Sequence, residues 1–106
     1  MIEIIIHRNK TQYTGFLSQG HAEYAEEGYD IICAAVSALT VNTINSIETF
    51  TSDHFAARQD EGLVELILEG TISKETKLLI DSMVLGLQNI QKNYGNEYIT
   101  VRFEEV

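Results

Sequence analysis

One cysteine and three histidines are the residues of this chain best suited to nucleophilic chemistry, and two of them stand close together. Cys33 follows His21 in the stretch GHAEYAEEGYDIICAAVS, residues 20–37. A thiol attacks a carbonyl as its thiolate, and an imidazole within reach can take the thiol proton and pass it to a leaving amine. Asp30 reads as the N-cap of a helix opening at Ile31, which makes Cys33 the third helical residue. Unpaired N–H groups and the positive end of the helix dipole favour an anion in that first turn, and the same N–H groups are the expected oxyanion donors. The competing reading is a packed thiol between Ile32 and Ala34 with no chemical role. An Asp at a helix cap, equally, needs no part in chemistry.

Other constellations are weaker. His7, His21, Cys33 and His54 show no paired-ligand spacing of the C-x-x-C or H-x-x-x-H kind, so no metal and no other cofactor is expected. Gly15, Gly20, Gly28 and Gly70 form no phosphate-binding fingerprint. His7 and His54 fall at predicted strand ends as partly exposed side chains, with His54 as the fallback base should the fold carry it nearer to Cys33.

The elements that must position these residues follow from hydrophobic periodicity. Residues 2–7 and 12–19 read as two strands of a hairpin around the turn Arg8-Asn9-Lys10-Thr11. From Ile31 to about Thr51, Ile32, Val36, Leu39, Thr43, Ile47 and Phe50 recur with helical spacing, while Ile31, Ala34, Ala35 and Ala38 make the first turns apolar on nearly every side. Such a helix must be covered on more than one face. Residues 54–59 and 63–68 flank Asp60-Glu61-Gly62, a three-residue hairpin loop. A second helix should start after Ser73 as N-cap, with Glu75 in its first turn, run through Leu79, Val84, Leu87, Ile90 and Tyr94, and stop at Gly95. Ile99, Val101 and Phe103 alternate as a last strand. The order ββαββαβ predicts a single α+β domain over residues 1–106, with two helices packed on a mixed or antiparallel sheet.

Composition narrows the partners. Sixteen acidic against seven basic residues give a net charge of −9, the wrong sign for tracking a phosphate backbone, so the expected partner is a basic protein and not nucleic acid. The opening MIEIII is too short and strand-like for a secretory signal or a membrane span. A lone cysteine forms no internal disulfide, and the cytoplasm is the expected compartment.

The residues resemble the ribosomal-processing cysteine proteases (Prp) of bacteria. That family's Gly-His-Ala, followed after a short variable loop by Asp-Ile-x-Cys-Ala-Ala-x-Ser, is met by Gly20, His21 and Ala22, then Asp30, Ile31, Cys33, Ala34, Ala35 and Ser37. The resemblance implies a homodimeric endopeptidase that removes a short N-terminal extension from the large-subunit ribosomal protein numbered twenty-seven, for ribosome maturation. It assigns Cys33 as nucleophile and His21 as base, with Gly20, Asp30 and Ser37 in support; Ser37 lies one helical turn beyond Cys33. Residues 22–29, with Glu23, Glu26, Glu27 and Gly28, read either as a solvated connection or as a mobile acidic lid that closes over the peptide and attracts a basic substrate. Two alternatives belong to other classes: a non-catalytic, ribosome-associated binding module with an acidic surface, and another thiol enzyme such as an acyl transferase or a peroxide-reactive protein.

Overall fold

The alternation IEIIIHR builds strand β1 (Ile2–Arg8), and a turn at Asn9 reverses the chain into β2 (Tyr13–Gln19). The Asn9 Oδ1 accepts from the backbone N–H groups of Thr11 and Gln12 at 2.8 and 2.9 Å, a side-chain mimic of a backbone turn that closes the hairpin. The computed structural model describes residues 1–20 and 27–106, with side chains from residue 31 onward in the second stretch. Its remaining elements are α1 (Glu27–Phe50), β3 (His54–Asp60), β4 (Leu63–Glu69), α2 (Lys74–Tyr94) and β5 (Ile99–Glu105). The five strands form one mixed sheet in the order β3-β4-β2-β1-β5, antiparallel except for β1 beside β5.

Register decides which side chains share a face. Ile4 pairs with Ser18, which pairs with Val64, and Ile6 pairs with Phe16, which pairs with Leu66. These residues join Ile2, Leu68 and Ile99 beneath Ile32, Val36, Ile47, Ile80, Met83, Val84 and Leu87 of the two helices, which lie together on that face. Close approach of the helices depends on Gly86, where a Cβ would lie 3.0 Å from Leu39 Cδ1. The opposite face carries ion pairs between Glu3 and Arg102 (3.6 Å) and between Arg58 and Glu65 (3.4 Å), exposed enough to contribute little to stability.

Helix α2 begins and ends where the sequence predicts. Ser73 caps it, its hydroxyl accepting from the Thr76 N–H at 3.2 Å, and the Gly95 N–H closes it on the Gln91 carbonyl at 2.8 Å. The cap is itself held by Asp53, whose Oδ2 accepts from the Thr76 hydroxyl and from the Ser73 N–H (2.9 Å) and hydroxyl (2.7 Å). The Thr76 hydroxyl, with the Ser73 donors behind it, holds the Asp53 carboxyl below the usual aspartate range. A carboxyl with a depressed folded-state pKa contributes stability above its unfolded pKa of about 3.9, and that contribution is lost as pH falls through the folded value. Asp53→Asn should therefore lower the urea midpoint at pH 7 and weaken the loss of stability on acidification below about pH 4, which urea titrations across pH would detect.

Three sequence expectations need correction. Helix α1 starts at Glu27, so Asp30 is its fourth residue and not its N-cap. Acidic residues are favourable throughout a first turn, and a cap and a first-turn acid therefore leave the same mark in a sequence. The second hairpin turns on two residues, Glu61-Gly62, because Asp60 still pairs with Leu63. Phe50 is 72% exposed at the end of α1, and among the residues of α1 whose side chains are described the buried ones are Ile32, Val36, Thr40, Thr43 and Ile47.

Candidate active site

Cys33 is half-buried, packs against the edge of the core, and lines a cavity of about 170 Å³. One wall is α1, with Val36, Ser37 and Thr40; the floor is Ile2, Ser18 and Val64 of the sheet; the rim is Gly20 and the β3–β4 turn. Ser37, one turn after Cys33 on the same wall, is exposed. Thr40 is fully buried, and its hydroxyl donates to the Val36 carbonyl at 2.9 Å, which leaves it no proton for a ligand. Asp60 at the rim accepts from the Glu61 N–H at 2.7 Å and so braces the turn. A larger depression of about 630 Å³ lies between Asn9, Gln12, Ser73 and Lys77, and it holds no cysteine or histidine. Thiol chemistry belongs to the smaller one.

Gly20 fixes where the chain leaves the sheet. Its φ is +113°, and a Cβ there would lie 2.2 Å from the Met1 carbonyl oxygen. Its N–H donates to the Gly62 carbonyl at 3.0 Å, which ties the end of β2 to the β3–β4 turn at the cavity mouth. His21 is the next residue in sequence and lies outside the described residues, as do Ala22, Glu23 and Glu26 of the expected lid. Gly28, expected as a hinge, belongs to α1.

The other histidines are placed elsewhere. His54 opens β3, five residues before Gln59 at the cavity, about 17 Å along a strand rising roughly 3.4 Å per residue. His7 is five residues along β1 from Ile2, a similar separation, and stands 3.7 Å from Glu104 on the helix-free face. Neither can serve Cys33 within this fold. Among the described residues, no three metal-ligating side chains come together.

The helix position of Cys33 also revises the expected chemistry. As the seventh residue of α1, its N–H lies within the regular i→i−4 ladder, and the free N–H groups of the helix start lie about a turn toward the N-terminus. Three cavity-lining residues escape sequence reading. Ser18 occupies a core-facing place in β2, where alternation with Phe16 calls for an apolar residue, and that break in pattern was the available signal. Gln59 and Asp60 reach the cavity only through the pairing of β3 with β4, for which the local sequence holds no signal.

An α+β domain with a half-buried cysteine at a cavity, beside a glycine-terminated strand that leads into a histidine, has the build of a thiol hydrolase. The family profile described as Cysteine protease Prp matches residues 1–100, and the chain belongs to that family of cysteine proteases. The ribosomal processing cysteine protease Prp of Staphylococcus aureus is 31% identical over 93 residues, covering 86% of this chain and 87% of the relative. Its counterpart in Bacillus subtilis is 27% identical over 101 residues, covering 89% and 90%. Crystal structures of the S. aureus protease with a covalently linked product peptide and with a substrate peptide match with TM-scores of 0.87 and 0.88. They are 31% and 30% identical, and each match covers 98% of this chain and 100% of theirs.

Proposed function

We propose that this protein is the endopeptidase that removes the N-terminal extension of the large-subunit ribosomal protein numbered twenty-seven. Cys33 is the nucleophile and His21 the base. The observation that carries this reading is the half-buried Cys33 at a cavity whose rim includes Gly20, the residue directly before His21, while His7 and His54 stand far along their strands. His21 takes the Cys33 proton, and the sulfur bonds to the scissile carbonyl carbon. Collapse of the tetrahedral adduct breaks the C–N bond as the imidazolium protonates the leaving amine; water, deprotonated by the same imidazole, then releases the acyl group as a carboxylic acid and restores the thiol. Ser37 supports the site from one turn along α1, where its hydroxyl can bond the thiol or the substrate carbonyl, and Asp30 supports it from the first turn.

A homodimer in the cytoplasm completes the reading. The outward face of α1, with Ile31, Ala34 and Ala38 exposed, carries no charged residue from Ile31 to Ile47. Two copies of a chain with net charge −9 repel one another over most of their surfaces, and an uncharged face is where that repulsion is least. Ala38→Glu is expected to shift the protein toward monomer, which sedimentation velocity reads directly.

The deciding test mixes the protein with the extended and the already shortened ribosomal protein and follows both by mass spectrometry. One defined cut in the extended form and none in the short form is the expected result; an uncut extended form removes the proposal. Glu23, Glu26 and Glu27 changed together to Gln should raise KM for the full-length substrate and flatten its salt dependence, with little effect on a short uncharged peptide. Equal responses of the two substrates would remove the recruiting role.

A further inference from the structure

The sheet has two outer edges, and α2 reaches one of them. At β5 the Val101 N–H donates to the Gln91 side chain of α2 at 3.2 Å. β3 pairs with β4 alone, and among the described residues no backbone or side-chain group bonds its other edge. A row of unpaired N–H and C=O groups is a template for another extended chain, and proteins commonly spoil such an edge with a proline, a bulge or free charges. β3 carries no proline and no bulge, since all seven of its residues keep register with β4. Its charged groups are engaged within the hairpin, Arg58 with Glu65 at 3.4 Å and Asp60 with the Glu61 N–H at 2.7 Å.

The open edge leads to the cysteine. Gln59 and Asp60, the last residues of β3, and Gly62 of the turn line the Cys33 cavity. The two-residue turn makes Asp60 and Leu63 a pair that exchange hydrogen bonds. By the alternation of an antiparallel ladder, His54, Ala56, Arg58 and Asp60 then turn their main-chain groups to β4, while Phe55, Ala57 and Gln59 turn theirs outward.

From this we infer that the outer edge of β3 is the docking strand for the substrate's N-terminal extension, which adds to the sheet as a sixth strand and is led by it to Cys33. Pairing of this kind draws its affinity from the main chain of an extended peptide. The extension is the segment that can supply it, because it is a free chain end, whereas the mature part continues into a folded protein whose backbone groups are bonded among themselves. Seven residues of β3 span about 24 Å at roughly 3.4 Å each, room for an extension of similar length.

This inference rests on the protease reading for its substrate, and its test separates the two. Peptides spanning the junction between extension and mature ribosomal protein carry one N-methyl group, placed in turn at each residue from the third before the bond outward. Their affinities for Cys33→Ala protein are measured by calorimetry, and cleavage of the unmethylated peptide by unaltered protein is followed separately. Methyls at alternate residues, whose N–H groups meet β3, should each weaken binding about five- to tenfold, the size of one neutral hydrogen bond, and those between them by less than about twofold. Hydrogen exchange read by NMR should slow at least about tenfold at Phe55, Ala57 and Gln59 when the unmethylated peptide binds, with Ala56 and Arg58 little changed. Ala57→Pro removes an outward N–H without taking a bond from β4, and should lower peptide affinity about tenfold or more. The methyl scan and the exchange use the intact strand, so they decide the matter even where Ala57→Pro fails to fold. Equal losses at every position, no loss at any, no binding, or no slowing at the three amides would each overturn the inference. Slow exchange of those amides in the free protein, lost on dilution, would also overturn it by showing a second copy on the edge. Alternating losses without any cleavage would overturn the protease reading alone.

Discussion

Cys33→Ala and His21→Ala are each expected to lower kcat/KM for the extended ribosomal protein by at least ~10³-fold, while His54→Ala changes it less than about twofold. The contrast is the informative part. A thiol protease without its sulfur has no nucleophile, and one without its imidazole loses both the proton acceptor and the donor to the leaving amine. His54 lies about 17 Å along β3 from the cavity and can replace neither function. Circular dichroism and sedimentation should show all three variants folded, because Cys33 is only half-buried at the margin of the core and His54 is exposed. Full activity in Cys33→Ala would dismiss the thiol mechanism, and loss of activity in His54→Ala would mean that β3 approaches Cys33 during turnover.

Gly20→Ala should be the most damaging single methyl in the described part of the site. At φ +113° a side chain is strained, and here the added carbon would fall 2.2 Å from the Met1 carbonyl oxygen, a backbone atom that cannot turn aside. The end of β2 must separate from Met1 or rotate, and either motion breaks the Gly20 N–H bond to Gly62. A loss of more than about 2 kcal/mol is expected, from roughly 1–3 kcal/mol of backbone strain plus the displaced contacts, or roughly a 10 °C drop in thermal midpoint. Gly95→Ala is the control: its φ of +98° is also strained, but nothing lies within 4 Å of the added carbon, so it should cost only about 1 kcal/mol. Activity separates two causes in the Gly20 variant. If the methyl displaces His21, kcat falls in the fraction that remains folded at low temperature; if it only destabilises, kcat per folded molecule is preserved.

Where a signal is local, the chain's own order of residues was enough. Ser73, Glu75 and Gly95 bracket α2 because capping is settled within a few residues of each helix end. The five strands are legible because alternation records a sheet with one buried face, and the cysteine and histidine pattern pointed to the family before any coordinate was known. What lies between distant segments was not legible. Asp53, twenty residues before Ser73, is invisible as the partner that holds the α2 cap. The early start of α1 moved Cys33 from first turn to seventh residue, since Glu27 and Asp30 are both acceptable near a helix start. Ser18 looked like one polar residue in a strand until register set it between Ile4 and Val64, beneath Cys33. Composition and spacing determine which elements form and which atoms can react. Only the pairing order β3-β4-β2-β1-β5 and the seating of α1 decide which groups meet around the sulfur, because those contacts depend on how separate segments pack and not on any one stretch of chain.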